Sequence, residues 1–479
     1  MAAADEMHDP TPPSSDPDFR DGYDEAWSAP QVPRPGYREV MRALARFHRP
    51  ALRARTRLHL SRGGVTFGSD AGATPFHVDP VPRVITAQEW AQIAPGISQR
   101  VRALEAFVHD AYGARRIVGA GLISARTIDE AAGYEPALQG RLPGGPVAIG
   151  VAGLDVVRDR DGTFLVLEDN LRTPSGFAYA AAARGAIERE PLPARSRRPF
   201  ADEAFAALGR TLAAAVPPDG DLSTGIVLTD GPHASAHYEH AEVARRLGLA
   251  LVTPAELAHY DGRLVRSGRR GRILPVDVVY RRLDEDRMRK GDGRPTLAAT
   301  LLEAPWLDGR LGLVNAFGTG VADDKAIHAY VEDMIRFYLG EEPLLSSVRT
   351  LDLTDPEQRR QALEEIDRLV VKPRHGQGGD GVVVCAHATP EDVARVVAAI
   401  EREPGRYVAQ ETIALSRHPT IMDDGDLALR HIDLRPFAFA TPDGVTVPAG
   451  GLTRVALEEG SMVVNSSQDG GGKDTWVLR

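Results

Sequence analysis

Apolar positions between residues 224 and 283 recur in two alternating rhythms. GIVLTD (225–230), ALVT (250–253) and VDVVYRRLD (276–284) are short runs of strand length, with a β-like pair around Leu264 and Ile273. Between the first two, YEHAEVARRLG (238–248) carries its apolar residues at helical spacing. Strands alternating with helices predict an α/β unit built on a largely parallel sheet. Upstream, Ile97, Val101, Leu104, Phe107 and Val108 recur at three to four residues, so 87–112 reads as helix. Downstream the pattern predicts a helix at 323–339, strand RLVVKP, strand GVVVCA, a helix at 390–402, strand YVAQE, and antiparallel strands to the end. Further helices are expected at 200–215 and, in an Ala-rich run, up to about Glu188. The stretch 63–86 is rich in Gly and Pro, with short β runs, and is expected to be an ordered loop platform.

Residues 153–176, GLDVVRDRDGTFLVLEDNLRTPSG, organise the rest. Two β-type runs, Leu154–Val157 and Thr163–Leu167, flank a turn containing Asp161-Gly162, a strong hairpin signal. Side chains two apart on a strand share a face, so Glu168 and Asn170 point the same way. Pairing brings Asp155 alongside them. Three oxygen-bearing side chains on one face suit a hard cation such as Mg2+, which takes carboxylates together with substrate phosphates. Arg172, Thr173, Pro174, Ser175 and Gly176 then turn into the Ala-rich helix, whose N-terminus can hold an anion.

Composition narrows the classes without naming one. The chain has 479 residues, 43% hydrophobic and 26% charged, enough for several packed domains of ordinary globular character. A net charge of -10 argues against a general nucleic-acid or membrane-surface binder. The one cysteine, Cys385, lies in the apolar run VVVCAH and reads as a buried structural thiol. Without a disulfide framework, a signal peptide or an apolar run of bilayer length, a cytoplasmic location is expected.

A second chemical signal is LVVKPRHGQGGDGVVVC (369–385). Lys372 leaves a strand, a glycine-rich loop follows, and the chain returns as another strand. Gly376, Gly378 and Gly381 match G-x-G-x-x-G, yet a strand follows where the dinucleotide fingerprint needs a helix. A glycine loop between antiparallel strands folds over phosphates and donates backbone N–H groups, with Lys372 reaching the same charge. HIDLRP (431–436) mimics a kinase catalytic loop, but the lysine precedes the glycine loop, no Asn follows Asp433 at the required spacing and no Asp-Phe-Gly is present. GGGKDT (470–475) lacks the leading Gly and the Ser or Thr of a P-loop. His233, His237 and His240, with Glu239, imitate metal spacing, and are expected to be structural.

Taken together, the hairpin with Asp155, Glu168 and Asn170 resembles the metal-binding end of ATP-grasp ligases such as D-alanine–D-alanine ligase. Lys372 and the loop 375–381 look like that family's second ATP lysine and flap, and Lys325, in ADDKAIHAYV, like its first. YVAQE (407–411) resembles the hinge strand. The order is permuted, because the metal end precedes the flap and hinge. The sequence is therefore similar to the circularly permuted ATP-grasp proteins, including those similar to glutathionylspermidine synthase. VLEDNLRTPSG and NSSQDGGGKDTWVL carry this resemblance, which covers most of 60–479.

The resemblance implies an α/β (α+β), circularly permuted ATP-grasp fold. Residues 1–35, rich in Pro, Asp and Ser, are expected to be a disordered tail, and 36–150, from its helical periodicity, a mainly helical lobe; the resemblance adds the metal-binding segment (151–215), a pre-ATP-grasp-like α/β domain (216–322) and the lysine, flap and hinge subdomains (323–479). It implies ATP and Mg2+ as cofactors, and a ligase that activates a carboxylate as an acyl phosphate and passes it to an amine. A kinase without ligation and a non-catalytic nucleotide-binding scaffold stay open as alternatives. No nucleic acid or membrane partner is expected.

Asp155, Glu168 and Asn170 would hold the metal. Lys325, Lys372, His375, Gly376, Gln377, Gly378, Gly379, Gly381, Gln410, Glu411 and Asn465 would bind the nucleotide, with Ser466, Gln468 and Lys473 nearby. Arg435 and Arg454 would clamp the transferring phosphoryl group alongside Lys372, a geometry suited to guanidinium. Arg172, Ser175 and Gly176 are candidates for the substrate carboxylate, and Arg282, at a strand end facing the expected cleft, fits either substrate binding or a buried ion pair. Gly153 stands where D-alanine–D-alanine ligase has an arginine, and LSRHPT (415–420) offers no acidic ribose contact.

Overall fold

The computed structural model describes residues 22–68, 73–143, 145, 147–193, 197–376, 381–458 and 470–479. Gln377, Gly378, Gly379, Asn465, Ser466 and Gln468 lie outside the described residues, as do 1–21.

A nine-stranded sheet joins early and late parts of the chain. The hairpin strands Val151–Arg158 and Phe164–Asn170 pair with each other, and the first also lies between Phe437–Thr441 and Leu427–Arg435. Phe437 pairs with Gly153 and Leu434 with Val156, so the early hairpin is built into the late sheet. Leu452–Val455 and Gly471–Val477 continue the sheet, and the latter runs parallel to the edge strand Val78–Ile85. Pro80 and Pro82 sit in that edge strand, where a missing N–H breaks no ladder bond to an outer neighbour. The stretch expected to be a loop platform thus supplies an eight-residue strand, buried along its whole length.

The alternating segment forms the expected parallel sheet, in the order Gly312–Val314, Val278–Arg282, Ile226–Thr229, Ala250–Val252. A third sheet is antiparallel, in the order Thr350–Asp352, Tyr407–Glu411, Leu369–Pro373, Val383–Val384. Helices Pro356–Glu364 and Pro390–Arg402 flank it, and it has its own small core around Leu353, Leu369, Val371 and Ile400. Both helices are capped by a side-chain oxygen, Asp355 and Thr389, with Pro at the first helical turn. The expected helix 323–339 is broken into Lys325–His328, Val331–Met334 and a π-helical turn Ile335–Leu339.

The expectation of a disordered tail over 1–35 is corrected for its described part. Glu25 is buried and its carboxylate accepts from Arg83 at 2.6 Å and from Arg158 at 2.8 Å. Trp27 and Ala26 join the core beside it. A Pro- and Asp-rich composition does not reveal two arginine partners placed far along the chain. Among the described residues no helix is long and apolar enough to cross a membrane.

Candidate functional site

The hairpin register sets Asp155 directly opposite Glu168 and Gly153 opposite Asn170. Val156 then pairs with Val166, leaving Leu167 as the extra residue of a β-bulge. Bulges of this kind re-aim side chains and cluster near sites. The Leu167 carbonyl accepts from the Gln410 amide at 3.2 Å.

Asp155 is buried and faces two guanidiniums. Arg435 reaches it through Nε at 2.6 Å and Nη2 at 2.8 Å, and Arg454 Nη2 lies 2.9 Å away. Arg454 is shared, donating through Nε to Asp433 at 2.9 and 3.1 Å. Burial works to raise the Asp155 carboxyl, but Arg435 and Arg454 outweigh it and hold the group well below the usual carboxylate range. Asp433 goes the other way: burial dominates and pushes it up despite Arg454.

Glu168 pairs with Lys325 at 3.1 Å, and the same ammonium donates to the Gly376 carbonyl at 3.2 Å. One lysine therefore bridges the early hairpin and the glycine loop. Lys372 donates to Gln410 Oε1 at 2.5 Å. Glu168, Lys325, Lys372 and Gln410 line one cleft, whose apolar walls are Leu167, Ala322 and Val408. Desolvation there works against the charged Glu168, yet Lys325 and Lys372 prevail and lower its pKa. Lys372 is lowered too, because burial of its ammonium outweighs the attraction of Glu168.

The position of Lys325 is set by Asp324, which caps its helix by accepting from Ala326 N at 2.9 Å. Asp324 also takes the Arg374 guanidinium at 2.6 Å, with both side chains buried. The root of the glycine loop is thereby tied to the helix of Lys325. At the far end of that loop Gly381 has φ of 70°, and a Cβ there would meet Pro373 Cγ at 2.8 Å. His375, Gly376 and Glu411 are exposed, and Glu411 donates its amide to the Arg349 carbonyl at 2.9 Å.

A model of the family "Circularly permuted ATP-grasp type 2" matches residues 82–456. The chain belongs to this family. A protein of Frankia alni named "Putative glutamate--cysteine ligase 2-3" is 43% identical over 96% of this chain and 54% of its own length. An uncharacterized protein of Synechocystis sp. is 39% identical over 95% of this chain and 97% of its own. The chain thus spans about half the length of the Frankia relative. Its fold is similar to that of a glutathione synthetase like-effector from Globodera pallida, with a TM-score of 0.61 and 12% identity, covering 90% of this chain and 97% of that one.

In this permuted ATP-grasp chain the turn after the hairpin is fully engaged internally. Ser175 Oγ donates to Glu239 at 2.7 Å, and the amides of Gly176 and Ala178 donate to the same carboxylate at 2.9 Å. The helix N-terminus expected to receive a substrate carboxylate already holds one of the protein's own. Arg282 donates to the Pro174 carbonyl at 2.8 Å and lies 3.6 Å from Glu239, which is the ion-pair alternative. Arg172 pairs with Asp323 at 3.2 Å and Asp286 at 3.6 Å. Asp323 is pushed up by burial despite Arg172.

Lys473, expected near the phosphates, is corrected. Its side chain is fully buried, ion-paired with Asp79, and donates to the Pro419 carbonyl at 3.1 Å. His240 makes a hydrogen bond with Thr229 Oγ1 at 2.9 Å, and burial lowers its pKa to about 2. Sequence reasoning grouped Glu239 with the structural histidines without placing it at the Ser175–Gly176 turn, and missed Asp323, Asp324 and Arg374. Only Asp324, preceding Lys325 at a helix start, left a local cue; the others depend on partners distant in sequence.

Proposed function

We propose that this chain is an ATP- and Mg2+-dependent ligase that joins a small-molecule carboxylate to an amine through an acyl phosphate. One observation carries the reading: a carboxylate of the early hairpin and two lysines from later segments line a single cleft. Family membership and the ligase name of the Frankia relative support it.

Asp155, Glu168 and Asn170 would offer two carboxylates and an amide from one hairpin as oxygen donors, once Asp155 exchanges Arg435 and Arg454, and Glu168 exchanges Lys325, for the metal. That donor set fits a hard cation and not a thiolate- or imidazole-seeking one. Magnesium held there would neutralise charge on the phosphate oxygens. Lys325 and Lys372 bind phosphate oxygens, and Arg435 and Arg454 hold the transferring phosphoryl group, since such transfer needs positioning and charge neutralisation above all. A substrate carboxylate oxygen attacks the γ-phosphorus, the bond to the bridging oxygen breaks and ADP leaves. The amine nitrogen then attacks the acyl carbon, the carbon–oxygen bond to phosphate breaks, and phosphate and a proton are released. The loop 375–381, of which 377–380 lie outside the described residues, would have the role of excluding water from the acyl phosphate. Arg172, 32% exposed, is the substrate-facing arginine, while Ser175, Gly176 and Arg282 shape its turn through Glu239.

The test is ADP release by purified protein over paired acids and amines, with products identified by mass. Glu168→Gln and Lys372→Ala are each expected to abolish it, and unchanged turnover in either would overturn the proposal. Hydroxylamine gives a hydroxamate only if an acyl phosphate forms, so ADP release without hydroxamate would indicate a kinase. Nucleotide binding without any ADP release would indicate a scaffold.

A further inference from the structure

Arg172 is anchored at its backbone, along its stem and at one side of its head. Its N–H donates to Asp323 Oδ2 at 3.1 Å and its Nε to Asp323 Oδ1 at 3.2 Å. The Leu171 N–H donates to the same Oδ2 at 2.5 Å, while the Leu171 carbonyl accepts from Asn315 Nδ2 at 2.7 Å. The residue that joins Asn170 to Arg172 is thus gripped at both its polar backbone groups. The stem of Arg172 crosses Gly320, where a Cβ would lie 3.1 Å from Arg172 Cδ and 3.3 Å from Cγ. One short segment, 320–323, therefore supplies both the floor under the stem and the carboxylate that holds the head.

The outer edge of the guanidinium is open. Nη1 stands 3.6 Å from Asp286 Oδ2, beyond hydrogen-bond reach, and neither Nη atom makes a hydrogen bond among the described residues. The side chain keeps 32% exposure, against 13% for Asp323. A guanidinium is a rigid plane, so fixing Nε also fixes where the Nη pair points. Two N–H groups side by side on a free edge match the two oxygens of a carboxylate. Asp323 lines the nucleotide cleft with Glu168, Lys325 and Lys372, so Arg172 is held at the border of that cleft.

We propose that Asp323 is a positioning residue, holding Arg172 so that its Nη edge receives the substrate carboxylate beside the nucleotide. The proposal rests on the ligase reading above, with Arg172 as its substrate-facing arginine. Asp323→Asn separates the two ties of this residue. The amide oxygen still accepts from the N–H groups of Leu171 and Arg172, but the amide nitrogen meets Arg172 Nε donor against donor. The head of Arg172 is released while its backbone stays in place.

The experiment is steady-state ADP release by the full chain with the acid–amine pair found in the screen, together with Mn2+ titration in the presence of a non-hydrolysable ATP analogue. Asp323→Asn is expected to raise KM for the acid at least about tenfold, and to leave KM for ATP and the Mn2+ affinity within about threefold. Arg172→Leu should raise KM for the acid by a similar factor, and the double variant should fall within about threefold of Arg172→Leu alone. An unchanged KM for the acid, an equal rise in KM for ATP, or losses that multiply in the double variant would each overturn the inference. Labelling of Arg172 by phenylglyoxal, followed by peptide mass without substrate, is expected to run at least about threefold faster in folded Asp323→Asn than in unaltered protein. Equal labelling, with ADP release by the unaltered chain intact, overturns the inference alone. No ADP release by the unaltered chain with any pair would overturn the ligase reading and the inference with it.

Discussion

Replacing Arg435 by Gln is expected to change metal affinity in opposite directions with and without nucleotide. In the structure the carboxylates proposed to hold metal rest on the cations proposed to hold phosphate: Asp155 on Arg435 and Arg454, Glu168 on Lys325. A free divalent ion must therefore displace a guanidinium that makes two hydrogen bonds, at 2.6 and 2.8 Å. Unit charges about 4 Å apart attract by about 4 kcal/mol at an effective dielectric near 20. Arg435 keeps 17% exposure, so screening lowers this. A net of about 2 kcal/mol agrees with charge-assisted hydrogen bonds and corresponds to roughly thirtyfold in affinity. Without nucleotide, Arg435→Gln should bind Mn2+ tighter by about that factor, read from the free-ion signal in electron paramagnetic resonance. With a non-hydrolysable ATP analogue the sign reverses, because the arginine has then exchanged its carboxylate for phosphate. Metal and nucleotide would thus bind unaltered protein cooperatively. Weaker Mn2+ binding by the variant in both states, or equal Mn2+ affinity of unaltered protein with and without nucleotide, would refute the partner exchange.

Two further predictions concern stability. Asp169→Asn leaves the buried Arg100 without its charge partner, at an expected cost of about 3–5 kcal/mol near neutral pH by urea unfolding. Burial works to raise the Asp169 carboxyl, but Arg100 and His328 hold it below its ordinary value, so its contribution is intact above that value and lost as pH falls. The gap between unaltered protein and variant should therefore stay constant down to about pH 4 and narrow below it; a gap that widens on acidification would contradict the pairing. Lys473→Met should destabilise the fold by about 3 kcal/mol, since Asp79 would keep only its backbone donors, Val81 N and Ile421 N. ADP release per folded molecule should be unchanged, and a selective loss of it would return Lys473 to the phosphate site.

What was legible in the sequence had a local period or a local turn. The hairpin could be read because β alternation and an Asp-Gly turn together determine which side chains share a face, and Asp155 does oppose Glu168. The bulge at Leu167 could not be read, since one extra residue leaves no signature until its partner strand is known. The glycine loop was legible as a turn between two strands, and those strands do pair, Val371 with Val383. The Asp324–Arg374 tie at its root joins positions 50 apart, and Glu25 reaches partners 58 and 133 positions away. Ion pairs of that kind have no periodicity, and composition alone misjudged the segment around Glu25. The same point accounts for the permutation. A sheet requires that Phe437 meet Gly153 and Leu434 meet Val156, and it is indifferent to which strand is made first. Chain order can therefore be rearranged while Glu168, Lys325 and Lys372 still reach one cleft, because their meeting depends on strand register and on a capped helix, both of which survive the cut.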